Sequence, residues 1–356
     1  MRGAAVVMNP YADLPAERFW RKVVAGVPPF ALAPGPSGAF SIAPGARVAT
    51  AGSCFAQHVS RALTEAGFGR YLAEPAPAGL PPDAAEARQF GTYSARYGNV
   101  YTARQLLQLF DRAYGTYRPG LTAWTRPDGR LVDPFRPAIE PAGFADEAAL
   151  LASQESHLAA VRRMFEDLDV FVFTLGLTEG WEHRADGAVL PVAPGVIGDG
   201  FDPERYAFVN ARASQVRDDM FAFLDRLFRV NARARVILTV SPVPLIASYA
   251  DRHVLVSNAY SKAALRVAAE EVVEAEPRAV YFPAYEIVTS TANAARYYAD
   301  DLRSVTPEGV AHVMRVFLGA FTEAAPRAAV PHPLGLEYAR AAGVVCDEEA
   351  IERSLA

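Results

Sequence analysis

The chain has 356 residues, of which 51% are hydrophobic and 21% charged, with a formal net charge of -5. That composition excludes a disordered or fibrous chain, and the acidic balance gives no reason to expect nucleic-acid binding. Two cysteines, Cys54 and Cys346, cannot staple a disulfide scaffold and do not share metal-ligand spacing, so no metal or other cofactor is expected.

At roughly 150 residues per domain, the length allows two domains or one large α/β domain. No apolar run reaches the roughly 18 residues of a membrane helix. The opening MRGAAVVMNPYADLP lacks the apolar core and cleavage site of a signal peptide. A cytoplasmic location without a membrane span is the expectation. Arginine supplies 33 of the 35 basic residues, leaving only Lys22 and Lys262. A lysine is therefore unusual in this chain, which singles out Lys262.

Residues 1–45 are rich in Pro and Gly and read as an irregular arm with one helix, Pro15–Val24. A strand follows at Arg47–Ala51, then a Gly52-Ser53 turn, then a helix from Cys54 to Gly67. Residues of about 70–150 carry one clear helix, Thr102–Ala113, and a loop or hairpin within Tyr117–Pro141, and read as a cap-like insertion. The α/β alternation resumes with a helix at Ala145–Leu168 and an apolar strand at Asp169–Leu175. Next come a helix at Ala213–Asn231, a strand at Arg235–Val240 and a helix at Asn258–Glu274. A strand at Ala279–Phe282 and a helix at Thr306–Phe321 close the series. Parallel strands alternating with helices imply one doubly wound α/β domain over 46–322. Residues 323–356 read as a surface helix or partly ordered tail.

Ligands of such sheets bind at the carboxyl ends of the strands. Cys54 is the sharpest candidate there. It follows a strand and a Gly-Ser turn and opens a helix, where the dipole and unpaired N–H groups favour a thiolate and can hold an oxyanion. The competing reading is a small buried apolar residue. Ser53 is a rival nucleophile or the helix N-cap. His58, four residues after Cys54, is either the activating base or a surface histidine. His183 and His253 are further candidates for the imidazole, whereas His157 and His312 lie within helices and His332 in a Pro-rich tail. Gly98-Asn99 offers an amide that either donates to an oxyanion or caps a turn. Glu179 and Asp301 are candidate orienting carboxylates or caps. There is no Gly-x-Gly-x-x-Gly, Gly-Lys-Ser/Thr phosphate loop, His-Glu-x-x-His or Gly-x-Ser-x-Gly. Their absence argues against nucleotide hydrolysis, dinucleotide redox chemistry and zinc proteolysis.

Gly52-Ser-Cys-Phe-Ala56 spells the motif that names the GSCFA family, and the resemblance covers most of the chain. It runs from Asn9-Pro-Tyr through Tyr97-Gly-Asn-Val-Tyr-Thr102, Thr174-Leu-Gly-Leu-Thr-Glu179 and Thr239-Val-Ser-Pro-Val243 to Ser261-Lys-Ala263 and Tyr281-Phe-Pro-Ala-Tyr-Glu286. The family is similar to SGNH hydrolases, which implies a flavodoxin-like three-layer α/β/α sandwich with a parallel sheet. It also implies a nucleophile at Cys54, with its backbone N–H as the first oxyanion donor. Gly176-Leu-Thr-Glu179 then resembles the oxyanion block, with Thr178 in place of Asn. Asp301-Leu-Arg-Ser304 resembles the closing Asp-x-x-His block, with Ser304 in the histidine's place. Arg303 beside it can stabilise a thiolate or bind an anionic substrate group. Lys262 either packs its stem, binds an anionic group, or is a solvated helix lysine. The implied function is an acyl esterase or acyltransferase on acylated carbohydrate or surface-polysaccharide precursors. The partners are then a small-molecule acyl donor or a carbohydrate, with the oligomeric state open. The missing histidine supports the alternative, an inactive glycan-binding or scaffold protein.

Overall fold

The computed structural model describes residues 9–36, 40–68, 71–323 and 347–355. The N-terminal arm holds a 3-10 turn at Ala16–Arg18 and a short helix α1 (Trp20–Val23). The single helix expected over Pro15–Val24 is broken because Phe19 adopts an extended backbone (φ -119°, ψ 114°).

Four strands form the central sheet: β1 (Val48–Gly52), β4 (Val170–Leu175), β8 (Arg235–Val240) and β9 (Ala279–Tyr281). They are all parallel and lie in the order β1-β4-β8-β9. The order is sequential, and among the described residues no strand lies beyond β1, where flavodoxin-like order 2-1-3-4-5 has one. Buried on both faces, β4 is apolar along nearly its whole length, which is why its sequence shows no alternation.

Helices cover both faces. On one lie α4 (Ala103–Ala113), α5 (Glu147–Asp167), α6 (Ala213–Val230) and α7 (Val254–Ala275). They seal Phe171, Phe173, Val236 and Leu238 into one core. On the other lie α2 (Ala56–Glu65), α8 (Ala284–Thr289) and α9 (Pro307–Phe321), over Val170, Val172 and Ile237. The architecture is a three-layer α/β/α sandwich. Helix starts follow local chemistry: Thr102 and Gln105 form a capping box on α4, and Asp146 caps α5 through Ala149 N–H at 2.8 Å.

Residues 70–150 do not form a separate cap. A short helix α3 (Pro82–Ala87) leads to a segment whose Tyr93, Tyr97, Val100 and Tyr101 belong to the main core or the site, and α4 is a full member of its layer. Only the hairpin β2 (Trp124–Thr125) and β3 (Leu131–Val132) stands apart. It shares a small core with an antiparallel sheet absent from the sequence reading, β5 (Glu179–His183), β6 (Ala188–Leu190) and β7 (Tyr206–Asn210). None of the described helices is long and apolar enough to cross a membrane. Cys346 and His332 lie outside the described residues, but the segment Asp347–Leu355 ends in a short helix, Glu349–Leu355, and is described.

Gly52, the last residue of β1, has φ +139°, and a Cβ there would sit 2.4 Å from the Thr174 carbonyl oxygen. Neighbouring strands leave no room for any side chain. Gly52→Ala is therefore expected to destabilise the fold by about 3 kcal/mol or more, from overpacking and left-handed strain together. Urea unfolding checks this, and an unchanged midpoint would refute the close approach.

Candidate active site

The turn after β1 is held by backbone bonds. Ser53 N–H donates to the Thr174 carbonyl at 3.2 Å, which locks the turn to β4. Ala56 N–H and Gln57 N–H donate back to the Ser53 and Cys54 carbonyls at 2.9 and 3.2 Å. Cys54 is thereby fixed two residues beyond the strand and just ahead of α2, and is 6% exposed. Ser53 is buried, its hydroxyl meets no partner among the described residues, and it does not cap the helix. Gly176, at the end of β4, lets Ser53 and Tyr101 pack closely: a Cβ there would lie 3.2 and 3.1 Å from them. Gly176 N–H donates to the Tyr101 carbonyl at 2.9 Å, so it serves packing rather than an oxyanion.

A buried polar network flanks the turn. Gly98 (φ +67°) reverses the chain so that Val100 N–H reaches the Gly52 carbonyl at 2.9 Å. Asn99, beside it, is fixed at both ends of its amide. Its Oδ1 accepts from Tyr93 OH at 2.6 Å, and its Nδ2 donates to the Asp347 carboxylate at 2.9 Å. Tyr93 OH also lies 3.1 Å from the Ser53 carbonyl, and Asp347 N–H donates to Tyr101 OH at 3.1 Å. Asp347 is 4% exposed, and burial pushes its carboxyl above the usual range.

Lys262, on α7, is 1% exposed. Its Nζ donates to the Gly176 carbonyl at 2.7 Å. Burial lowers its pKa from 10.5 to about 8, against the opposing pull of negative charge on Glu348 and Cys54. Arg303 stands on the other side of Glu348, its Nη2 3.2 Å from Glu348 Oε2 and its Nε on the Pro244 carbonyl at 3.1 Å. One thiol, two cations and two carboxyls thus converge at the carboxyl ends of β1, β4 and β8.

Other candidate residues have local duties. Thr178 donates its N–H to Ser261 Oγ at 3.0 Å and its hydroxyl to Asn210 at 2.7 Å, which ties β5 to α7 and β7. The Glu179 carboxylate accepts from Ser248 Oγ (2.7 Å) and Tyr249 N–H (3.2 Å) and pins that loop. Asp301 accepts from Arg303 N–H, Ser304 N–H and, at 2.6 Å, Ser304 Oγ, which holds its carboxyl below the usual range against a burial penalty. That turn leaves Asp301 orienting a serine.

No described contact joins a histidine to Cys54. His58 packs edge-on against Phe55 with centroids 5.4 Å apart, and burial, with Arg61 nearby, lowers it to about 4. His253 is exposed, and its Nδ1 caps α7 by accepting from Leu255 N–H at 3.1 Å. His183 pairs with Asp186 at 2.9 Å, His157 with Glu74 at 2.7 Å, and His312 with Tyr297 OH at 2.7 Å.

Beside the site runs a cleft of about 170 Å³, walled by Trp181, Phe208, Tyr249 and Leu245 and bounded by Glu179 and Glu348. Trp181 and Tyr249 meet edge-to-face with centroids 4.8 Å apart. The sequence reading missed Tyr93, Asp347 and Glu348. Cys54, Asn99 and Arg303 were named from their positions in the sequence, and Lys262 from the scarcity of lysine.

The family model described as "GSCFA family" matches residues 47–317. No curated protein matches the chain. The matched span holds the whole central sheet and the Gly52-Ser-Cys-Phe-Ala56 turn, so the chain belongs to the GSCFA family.

Proposed function

We propose that the protein is an acyl-transfer enzyme, an esterase or acyltransferase acting on acylated carbohydrate, with Cys54 as nucleophile and Lys262 as its proton partner. The observation that carries this reading is the fully buried Lys262 ammonium beside the Cys54 turn. An ordinary thiol titrates at about 8.5. Burial brings Lys262 down to about 8, which makes its neutral amine accessible as the acceptor of the thiol proton, giving a thiolate–ammonium pair.

The thiolate attacks the acyl carbonyl, and the electron pair of the C=O moves to oxygen. When the tetrahedral intermediate collapses, Lys262 returns its proton to the departing sugar hydroxyl and a thioester remains. Water or an acceptor hydroxyl then attacks the thioester, passes its proton to Lys262, and the thiolate leaves. Asn99, its amide oriented by Tyr93, is the side-chain donor for the developing oxyanion in this reading. The aromatic cleft supplies flat apolar faces against which a sugar ring can lie.

The Asp301–Ser304 turn favours the second reading, a non-catalytic glycan-binding protein, because it lacks an imidazole. Lys262 answers that objection, and mutation separates the two.

On a short acyl ester or an acetylated sugar, Cys54→Ala is expected to abolish turnover, while His253→Asn, which keeps the helix cap, retains it. Full activity in Cys54→Ala would remove Cys54 from the nucleophile's role. Lys262→Met is expected to lower kcat/KM by about 100-fold or more. In the wild type the ammonium is present below its pKa of about 8 and lost above it. Support for the thiolate and the proton for the leaving group therefore both fall away as pH rises. The pH profile of kcat/KM should decline above about pH 8, and a plateau extending to pH 10 would contradict the role of Lys262.

A further inference from the structure

We propose that Arg303 and Lys262 form a carboxylate subsite of the active site, that the substrate is accordingly an O-acylated sugar acid, and that Glu348 of the chain itself fills this subsite until substrate displaces it. The proposal rests on the acyl-transfer reading above and names its substrate class.

Two cations sit on the body of the fold. Lys262 is carried by α7, which packs on β8 and β9. Arg303 lies in the loop before α9, its guanidinium steadied by the Pro244 carbonyl and its backbone by Asp301. Each is thus held by a backbone carbonyl as well as by the charge of Glu348, Lys262 by Gly176 and Arg303 by Pro244. Two positive charges at a largely buried point need an anion nearby, because water cannot screen them there. Glu348 supplies it, 3.2 Å from Arg303.

Glu348 differs from its partners in where it comes from. It precedes a helix of only seven residues outside the two helical layers, whereas Arg303 and Lys262 are built into the sandwich. Its neighbour Asp347 sits on the Asn99 amide, in the place the proposed mechanism reserves for the acyl oxyanion. Adjacent carboxyls thus cover the two positions an acidic acyl substrate would use, the acyl oxygen on Asn99 and the acid on Arg303. Burial pushes both carboxyls above their ordinary range, against the opposing pull of Arg303 and Lys262 on Glu348 and of Asn99 on Asp347. Glu348 also borders the cleft of Trp181 and Tyr249, so a sugar ring in that cleft would carry its carboxylate toward Arg303.

The test is carried out on the full chain in a Cys54→Ala background, so that it does not depend on acyl transfer. Binding of glucuronate, with glucose as the neutral control, is read as a rise in melting temperature. Glu348→Ala and the isosteric Glu348→Gln should each bind glucuronate at least about ten-fold more tightly than the parent, a difference of about 1.4 kcal/mol. Glucose should stabilise none of them, and adding Arg303→Gln to Glu348→Gln should remove the gain. The proposal is overturned if glucuronate stabilises parent and variants equally, if it stabilises none, or if glucose does as well. Because Glu348→Gln keeps the shape of the side chain, misfolding of the alanine variant leaves the comparison intact. Loss of turnover in Cys54→Ala alone, with this binding pattern absent, would sustain the acyl-transfer reading and remove only the carboxylate subsite.

Discussion

The site is organised around a positive charge held out of water. A buried ammonium is unstable unless oxygen or anion partners surround it, and Lys262 has one backbone carbonyl within hydrogen-bond distance, that of Gly176. The remaining compensation comes from charge, from Glu348 and from the Cys54 thiol when ionised. This requirement explains why the surroundings are so closely built. Gly52 and Gly176 allow β1, β4 and the Tyr101 segment to approach within backbone contact. That approach puts the Gly176 carbonyl under Lys262 and the Cys54 turn beside it. The burial that makes this cation costly also lowers its pKa to about 8, so its neutral amine can take a proton from a thiol and become the ammonium partner of the thiolate.

A second layer fixes the donor side. Tyr93 bridges the Ser53 carbonyl and the Asn99 amide, and Asn99 in turn holds Asp347. These groups are buried and bonded to one another, so the amide is oriented before any substrate arrives. The Asp301 turn, by contrast, is exposed and closed on Ser304. In the proposed reading proton transfer is carried by Lys262 on α7 rather than by the loop before α9, on which Arg303 pairs with Glu348.

The parts of this arrangement that obey short-range rules were legible in the sequence. β4 and β8 announce themselves as apolar runs, α4 through the apolar face of Leu106, Leu107, Leu109 and Phe110, and Cys54 through its strand–turn–helix setting. Lys262 stood out because lysine is scarce, although its burial could not be read from Ser-Lys-Ala. β5 to β7 escaped because Glu-Gly-Trp-Glu-His carries no clean alternation and its pairing with β7 spans more than twenty residues. Two of the candidate imidazoles serve local needs: His58, close to Cys54 in sequence, makes an aromatic contact, and His253, distant from it in sequence, caps a helix. Asp347 and Glu348 were invisible because their partners lie 248 and 45 residues away, and an acidic pair near a terminus normally reads as solvated.

The central claim is that Lys262 holds Cys54 as a thiolate. The most direct measurement is the ultraviolet thiolate absorbance of the protein as a function of pH, taken as the difference between wild type and Cys54→Ser so that Cys346 cancels. The account predicts a Cys54 midpoint below the ordinary thiol value of about 8.5. It also predicts that Lys262→Met raises that midpoint by about one pH unit or more, since a neighbouring cation is worth at least that much in a buried site. A midpoint at or above the ordinary value, unmoved by Lys262→Met, would contradict it.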